Sequence, residues 1–283
     1  MLFAAGLSAQ APLSLADRIA AHPRRAQLAP GQAAGEIVSF RSGEFTLKGY
    51  LYKPQGAGPF PTMIWNHGSE KEPGFQPELA AFYNSKGFVF FLPHRHGHGL
   101  SPGEYIMDIN QRLIKGAGNE EAAWPQMVKQ HDVYNLDVAA AVAWLKSQPF
   151  VDRDQVVMSG VSYGGIQTLV SAEKIPGVRG FISFAPAAQS WRILPLRERL
   201  LTAIAHARAP IFLLQAGNDF NTGPSEVLGP AIRKKGPPNN AKLYPDFGAH
   251  DDHMRGHASF STWNIGIEIW SPDVMPFIAA VVH

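Results

Sequence analysis

Apolar and polar positions alternate in two early stretches of the chain and then stop alternating. Ile37-Val38-Ser39-Phe40 and Phe45-Thr46-Leu47-Lys48-Gly49-Tyr50-Leu51-Tyr52 carry the period of two expected of a half-buried hairpin, with Gly43 between them. After the turn cluster Pro54-Gln55-Gly56-Ala57-Gly58-Pro59, apolar runs become continuous. Such runs occur at 62–66, 88–92, 155–159, 179–184, 210–215 and 241–244, and each reads as a strand covered on both faces. Helical spacing fills most of the gaps, at 75–86, 132–148, 163–174, 225–235 and 271–282. Asp132 is the expected N-cap of the second of these, and Pro149 closes it. Strands alternating with helices predict an α/β fold: a mostly parallel central sheet with helices on both faces and an N-terminal antiparallel hairpin. Two stretches, 97–131 and 186–209, fit the core pattern less well and are candidate lids over a site. Ligands of such sheets bind beyond the carboxyl ends of the strands, so chemistry is expected just after each apolar run.

Composition changes this picture little. The 283 residues are 45% apolar and 17% charged with a formal net charge of +2, which suits one large domain. Lys and Arg are scattered without a basic stripe, which argues against nucleic acid as a partner. The chain has no cysteine, so it forms no disulfide, thiolate nucleophile or Cys-based zinc site. No run approaches the ~20 apolar residues of a membrane span. Residues 1–35 read as an N-terminal extension. Its first part is similar to the end of a secretory signal peptide, with Ala9-Gln10-Ala11 as the small-residue cleavage pattern, and a periplasmic or secreted location is favoured over the cytoplasm. Residues 12–35 read as a wrapping arm, and the main domain spans 36–283.

The sharpest motif is Gly160-Val161-Ser162-Tyr163-Gly164-Gly165, which follows an expected strand and opens an expected helix. A hydroxyl presented on a sharp strand-to-helix turn needs small neighbours two positions either side, and the new helix points its free N–H groups at the same place. Ser162 is therefore the candidate nucleophile, against the bland alternative of a glycine-rich turn with an incidental serine. An oxyanion needs two N–H donors. The residue after the nucleophile, Tyr163, supplies one, and the turn Asn66-His67-Gly68-Ser69-Glu70 supplies the other, from Ser69 or Glu70 with Ser69 preferred. Carboxylate and then histidine follow such an elbow in chain order. Asp219 lies just past the run at 210–215, and three histidines, His250, His253 and His257, compete to be the base. Spacing does not separate them, although Gly256 gives His257 a small neighbour. The run His94-Arg95-His96-Gly97-His98 has an alternation that can chelate a metal from a strand, but its glycines favour a loop near the pocket, and no metal is assigned. Trp124, Trp191 and Trp263 are candidates for pocket lining or for plain packing.

Together the segments Asn66–Glu70, 94–103 and 160–165, Gly217-Asn218-Asp219, and 244–248 with Gly256-His257 resemble the dienelactone-hydrolase-like branch of the α/β-hydrolases. Tyr163 after the serine is also similar to the prolyl-oligopeptidase catalytic domain. The resemblance covers the chain from about residue 36 and implies the α/β-hydrolase fold. It also implies a Ser162–Asp219–His257 triad with His250 as the alternative base, cofactor-free cleavage of an ester in a small-molecule acyl substrate, and no membrane span. Dienelactone hydrolase itself uses a cysteine where this chain has Ser162, so lactone specificity does not carry over. The rival readings are a peptidase or amidase of the prolyl-oligopeptidase type, and a non-catalytic binding protein on the same fold.

Overall fold

The computed structural model describes residues 14–22 and 35–282. The Ala9-Gln10-Ala11 pattern lies outside the described residues. Within the arm, a short helix α1 (Leu15–Ala21) is capped by Ser14, whose side chain accepts from the Asp17 N–H. The hairpin forms where alternation predicts it, as β1 (Glu36–Ser42) and β2 (Phe45–Tyr52), with Gly43 in the left-handed region at φ 52°. The chain then runs through β3 (Phe60–Asn66), α2 (Pro77–Ser85), β4 (Val89–Pro93), α3 (Ile106–Ala117), α4 (Glu120–Lys146), β5 (Val151–Val161), α5 (Tyr163–Lys174), β6 (Gly180–Phe184), α6 (Leu194–Ala205), β7 (Ile211–Ala216), α7 (Gly223–Arg233) and β8 (Asn240–Tyr244). A π-helical turn (Arg255–Ser259) leads through the short α8 (Phe260–Thr262) into the closing helix α9 (Asn264–Val281).

Among the described residues, eight strands form one sheet in the order β1-β2-β4-β3-β5-β6-β7-β8. Of its pairs, β1–β2 and β2–β4 are antiparallel and the others parallel. Alternate residues of each apolar strand feed two separate cores. Ile64, Val156, Met158, Ile211 and Leu213 face a layer built from α4, α5, α6 and α7. Met63, Trp65, Val157, Phe212 and Leu214 face a layer built from α1, α2 and α9. Burial on both faces is why these strands read as unbroken apolar runs.

Two helices start earlier than their patterns predict. The helix expected from residue 132 begins at Glu120, capped by Asn119, whose side chain accepts from the Ala122 N–H. Pro125 lies within its first two turns and costs a single backbone bond there. Asp132 is then no cap. Its carboxylate pairs with Lys174 at 2.7 Å and Arg199 at 2.9 Å, tying α4 to α5 and α6. The last helix begins at Asn264 rather than 271 and accommodates Pro272 and Pro276. The two candidate lid segments are largely helical. The first contains α3 and the start of α4, and the second contains α6, which buries Leu196, Leu200 and Ile204. Among the described residues no helix is long and apolar enough to cross a membrane.

Candidate active site

Parallel topology brings the ends of β3, β4, β5 and β7 and the segment after β8 to one edge of the sheet, and the candidate residues lie there. Ser162 stands between β5 and α5 with φ 58° and ψ −119°, a conformation that side chains other than glycine rarely adopt. The turn is held by the Ser162 N–H donating to Phe184 O at 3.0 Å and by the Ile166 N–H donating to Ser162 O at 3.0 Å. Its glycines are required by close approach. A Cβ on Gly160 would meet Asn66 O at 2.7 Å, and one on Gly165 would meet Phe184 O at 2.6 Å. One on Gly164 would come within 2.5 Å of His67 O, so the elbow packs directly on the backbone after β3. Tyr163 is the first residue of α5, where an N–H has no acceptor within the helix.

Asp219 and His257 meet across 38 positions of sequence. Nδ1 of His257 donates to Oδ1 of Asp219 at 2.7 Å, and both side chains are buried. The Phe220 N–H donates to the same oxygen at 2.7 Å, and Gln215 Nε2 donates to Oδ2 at 2.7 Å. With its proton on Nδ1, a neutral His257 presents a bare lone pair on Nε2. That atom is buried and has no hydrogen-bond partner among the described residues. The ring edge of Phe220 packs on His257 at 5.4 Å between centroids. His257 reaches this place because the π-helical turn carries Gly256, where a Cβ would strike the backbone of Asn218 at 2.8 Å.

The other two histidines of the segment go elsewhere. His250 is exposed and pairs with Asp246 at 2.6 Å, which raises its pKa above the ordinary value. His253 Nδ1 donates to Asn218 O at 3.1 Å. Asn218 itself accepts from the Phe247 N–H and donates to Phe247 O and Ala249 O, so it shapes the loop that leads to His257. Gln215 and Asn218 escaped assignment from sequence. The signal for Gln215 was an amide at the end of an otherwise apolar strand, a polar side chain that burial obliges to find partners.

The His94-Arg95-His96-Gly97-His98 run spreads its rings over three different acceptors. His94 Nε2 meets Gly74 O at 3.1 Å, His96 Nδ1 meets Asp137 at 2.6 Å, and His98 Nδ1 meets Glu70 O at 2.9 Å. No three His, Asp or Glu side chains among the described residues are arranged to hold a metal ion. Trp191 is buried under Arg197, and Trp263 is buried and stacked on His22. Trp124 is partly buried against the α4–α7 core. A cavity of about 460 Å³ beside the His257 turn is lined by Glu78, Asp252, Arg255 and Trp263 among others, and it does not include Ser162 or Asp219.

Comparison with known proteins bears on the fold and the family. Over 164 residues, 58% of the chain, the sequence is 28% identical to a polyketide transferase of Penicillium sp.. Over 147 residues, half of the chain, it is 26% identical to an acetyl esterase of Xylanibacter ruminicola. The chain spans about half the length of the first protein and a third of the second. In structure it superposes on an esterase of Pyrococcus furiosus with a TM-score of 0.63 and 16% identity, covering 92% of this chain and 97% of that one. It superposes on the acylaminoacyl peptidase of Pyrococcus horikoshii with a TM-score of 0.62 and 16% identity, covering 87% of this chain and 41% of the peptidase. Both likenesses establish the α/β-hydrolase fold. The dienelactone hydrolase family model matches residues 48–254, nearly three quarters of the sequence, and the chain belongs to that family.

Proposed function

We propose that the protein is a serine hydrolase that cleaves an ester through an acyl-enzyme. The observation that carries this reading is the buried His257–Asp219 pair with Nε2 of the histidine left open. His257 Nε2 takes the proton of Ser162 as Oγ attacks the ester carbonyl. Asp219 holds the ring in the required tautomer and stabilises the imidazolium. The N–H groups of Tyr163 and Ser69 receive the oxyanion. The imidazolium returns its proton to the departing alcohol. Water, deprotonated by the same Nε2, then releases the acid and restores Ser162. Helix α3 packs Ile106 and Ile109 against Tyr134 and Tyr163, the residue after the nucleophile. None of these steps calls for a cofactor.

The acetyl esterase among the relatives supports an ester substrate. The transferase among them supports a second reading, in which an alcohol or amine replaces water in the second half-reaction. Ser162→Ala is expected to abolish hydrolysis of p-nitrophenyl acetate while leaving the circular dichroism spectrum intact. Near-normal turnover by that folded variant would overturn the assignment. Adding a primary alcohol and measuring the ratio of new ester to free acid separates transfer from hydrolysis. Aminoacyl nitroanilides assayed beside short acyl esters separate a peptidase from an esterase.

A further inference from the structure

Four successive carbonyls of the loop after β3 are captured by side chains or backbone of one other segment, residues 95–105. Gly68 O accepts from Arg95 Nη2 at 2.5 Å, Ser69 O from the Tyr105 hydroxyl at 2.7 Å, Glu70 O from His98 Nδ1 at 2.9 Å, and Lys71 O from the Gly99 N–H at 2.8 Å. Gly68 O has a second donor. The Arg95 N–H donates to His67 Nε2 at 3.2 Å, which puts the proton of the neutral ring on Nδ1; that nitrogen lies 2.9 Å from Gly68 O and 3.0 Å from Arg95 Nη2, so both donors converge on the carbonyl rather than bond to each other. His67 is held neutral because burial and the adjacent guanidinium push its pKa well below the ordinary value.

Gly68 O belongs to the peptide group whose N–H is that of Ser69. In a planar trans peptide the C=O and N–H point in opposite directions. Fixing Gly68 O on Arg95 and His67 therefore turns the Ser69 N–H away from them. Two donors on the oxygen, one of them charged, also polarise the N–H at the far end of the same amide. Arg95 is buried, and its Nε and Nη1 find no acceptor among the described residues, so its charge is only partly answered locally. Its guanidinium lies over the ring of Tyr163, 5.1 Å from the centroid. One side chain thus contacts the peptide of one oxyanion donor and the side chain of the other.

We propose that Arg95 is a positioning residue for oxyanion stabilisation, orienting and polarising the Gly68–Ser69 peptide with help from His67 and Tyr105. The inference rests on the hydrolase reading above. It gives the histidine-rich run a purpose: the run scaffolds the oxyanion loop.

The test measures kcat and KM for p-nitrophenyl acetate, and the affinity of an alkyl trifluoromethyl ketone, which forms a tetrahedral oxyanion on the serine. The proteins are the wild type, Arg95→Met, Arg95→Lys and Tyr105→Phe. Arg95→Met is expected to lower kcat about 10²-fold with KM within about twofold, and to weaken the ketone by the same factor. Arg95→Lys should recover part of both losses, and Tyr105→Phe should lose about tenfold in both. Should Arg95→Met not fold, the other two variants decide, and wild-type ketone affinity in both overturns the proposal. Losses of kcat without parallel weakening of the ketone overturn it too. A wild-type chain that neither hydrolyses the ester nor binds the ketone overturns the hydrolase reading and this inference with it. A wild type that does both, matched by all folded variants, overturns the inference alone.

Discussion

His257 and Asp219 share a buried 2.7 Å hydrogen bond, whereas His250, seven residues earlier in the chain, makes a bond of nearly the same length to Asp246 in open solvent. Equal geometry carries unequal consequence. Solvent screens the exposed pair, and such pairs contribute little. The buried pair holds the His257 ring with its proton on Nδ1 and leaves Nε2 open.

The three histidines should therefore separate cleanly in activity. His257→Ala is expected to cut kcat/KM by about 10⁴-fold or more, and combining it with Ser162→Ala should cost little further, since triad members act as a unit. His250→Ala should stay within about twofold of wild type. His253→Ala removes a bond to Asn218 O and a ring contact with Phe220 and should fall between them. Steady-state kinetics on one ester suffices, and a larger loss from His250→Ala than from His257→Ala would refute the assignment of the base.

Gln215 is a second point of leverage. Its Nε2 donates to Asp219 Oδ2 and to Asn221 O, and its Oε1 accepts from Ser225 Oγ, all within the buried end of β7. Gln215→Leu preserves most of the volume but strips an acceptor-only carboxylate oxygen of its partner. An unsatisfied buried group costs about 1–3 kcal/mol, so the urea midpoint should fall accordingly. kcat should drop about tenfold as Asp219 loses its fixed orientation. A variant with unchanged midpoint and unchanged kcat would show that Phe220 N–H and His257 alone hold the carboxylate.

Much of this architecture was legible because its causes are local. Short continuous apolar runs such as 210–215, alternating with helical spacing, read as strands covered on both faces, and the doubled glycine after Ser162 marks a helix start that allows close approach. Helix boundaries were less legible where a local signal competed with packing. Asp132 looks like an N-cap, but Asn119 takes that role, and Asp132 is drawn to Lys174 and Arg199, residues that only tertiary structure brings near. The choice among His250, His253 and His257 was likewise closed to spacing. It depends on how Asn218 folds the 247–252 loop and where the π-helical turn aims one ring. The alternation of the histidine run is visible in sequence, whereas the two carbonyls and the Asp137 carboxylate that hold its rings are not.

The elbow glycines predict a stability effect of definite sign. A methyl group at Gly164 would press on the backbone of Asn66 and His67, atoms that belong to β3 and its loop and cannot swing aside as a side-chain tip would. Overpacking of this kind costs about 1–3 kcal/mol. Gly164→Ala should lower the urea midpoint, and kcat should fall further because the displaced backbone carries the candidate oxyanion loop. Gly43→Ala is the control. Nothing lies near its Cβ position, so only its left-handed φ of 52° is penalised, by about 1–2 kcal/mol, and kcat should be untouched. A Gly164→Ala protein as stable and active as wild type would mean that β3 yields where the packing says it cannot.

Acid should unfold the protein earlier than its carboxylates alone would dictate. Burial lowers the pKa of His94 to about 4 and those of His98 and His131 to about 3, and pushes His67 well below its ordinary value. All four are neutral in the folded chain and shift in the same direction. Between about pH 6.5 and 4 the unfolded chain binds protons that the folded chain refuses, so stability rises with pH across that window and is lost as pH falls through it. Each histidine contributes up to about 1.4 kcal/mol per pH unit there. His250 runs the opposite way, but it is exposed. Carboxylates of ordinary pKa, about 4, titrate mostly below pH 5 and so below the range compared. Urea midpoints at pH 7, 6 and 5 should therefore decline with increasing steepness. His131→Phe, which keeps a ring against Tyr163 and removes one titrating group, should flatten the decline by about one proton. Midpoints that do not change from pH 7 to 5 would mean that these rings accept protons without leaving the folded structure.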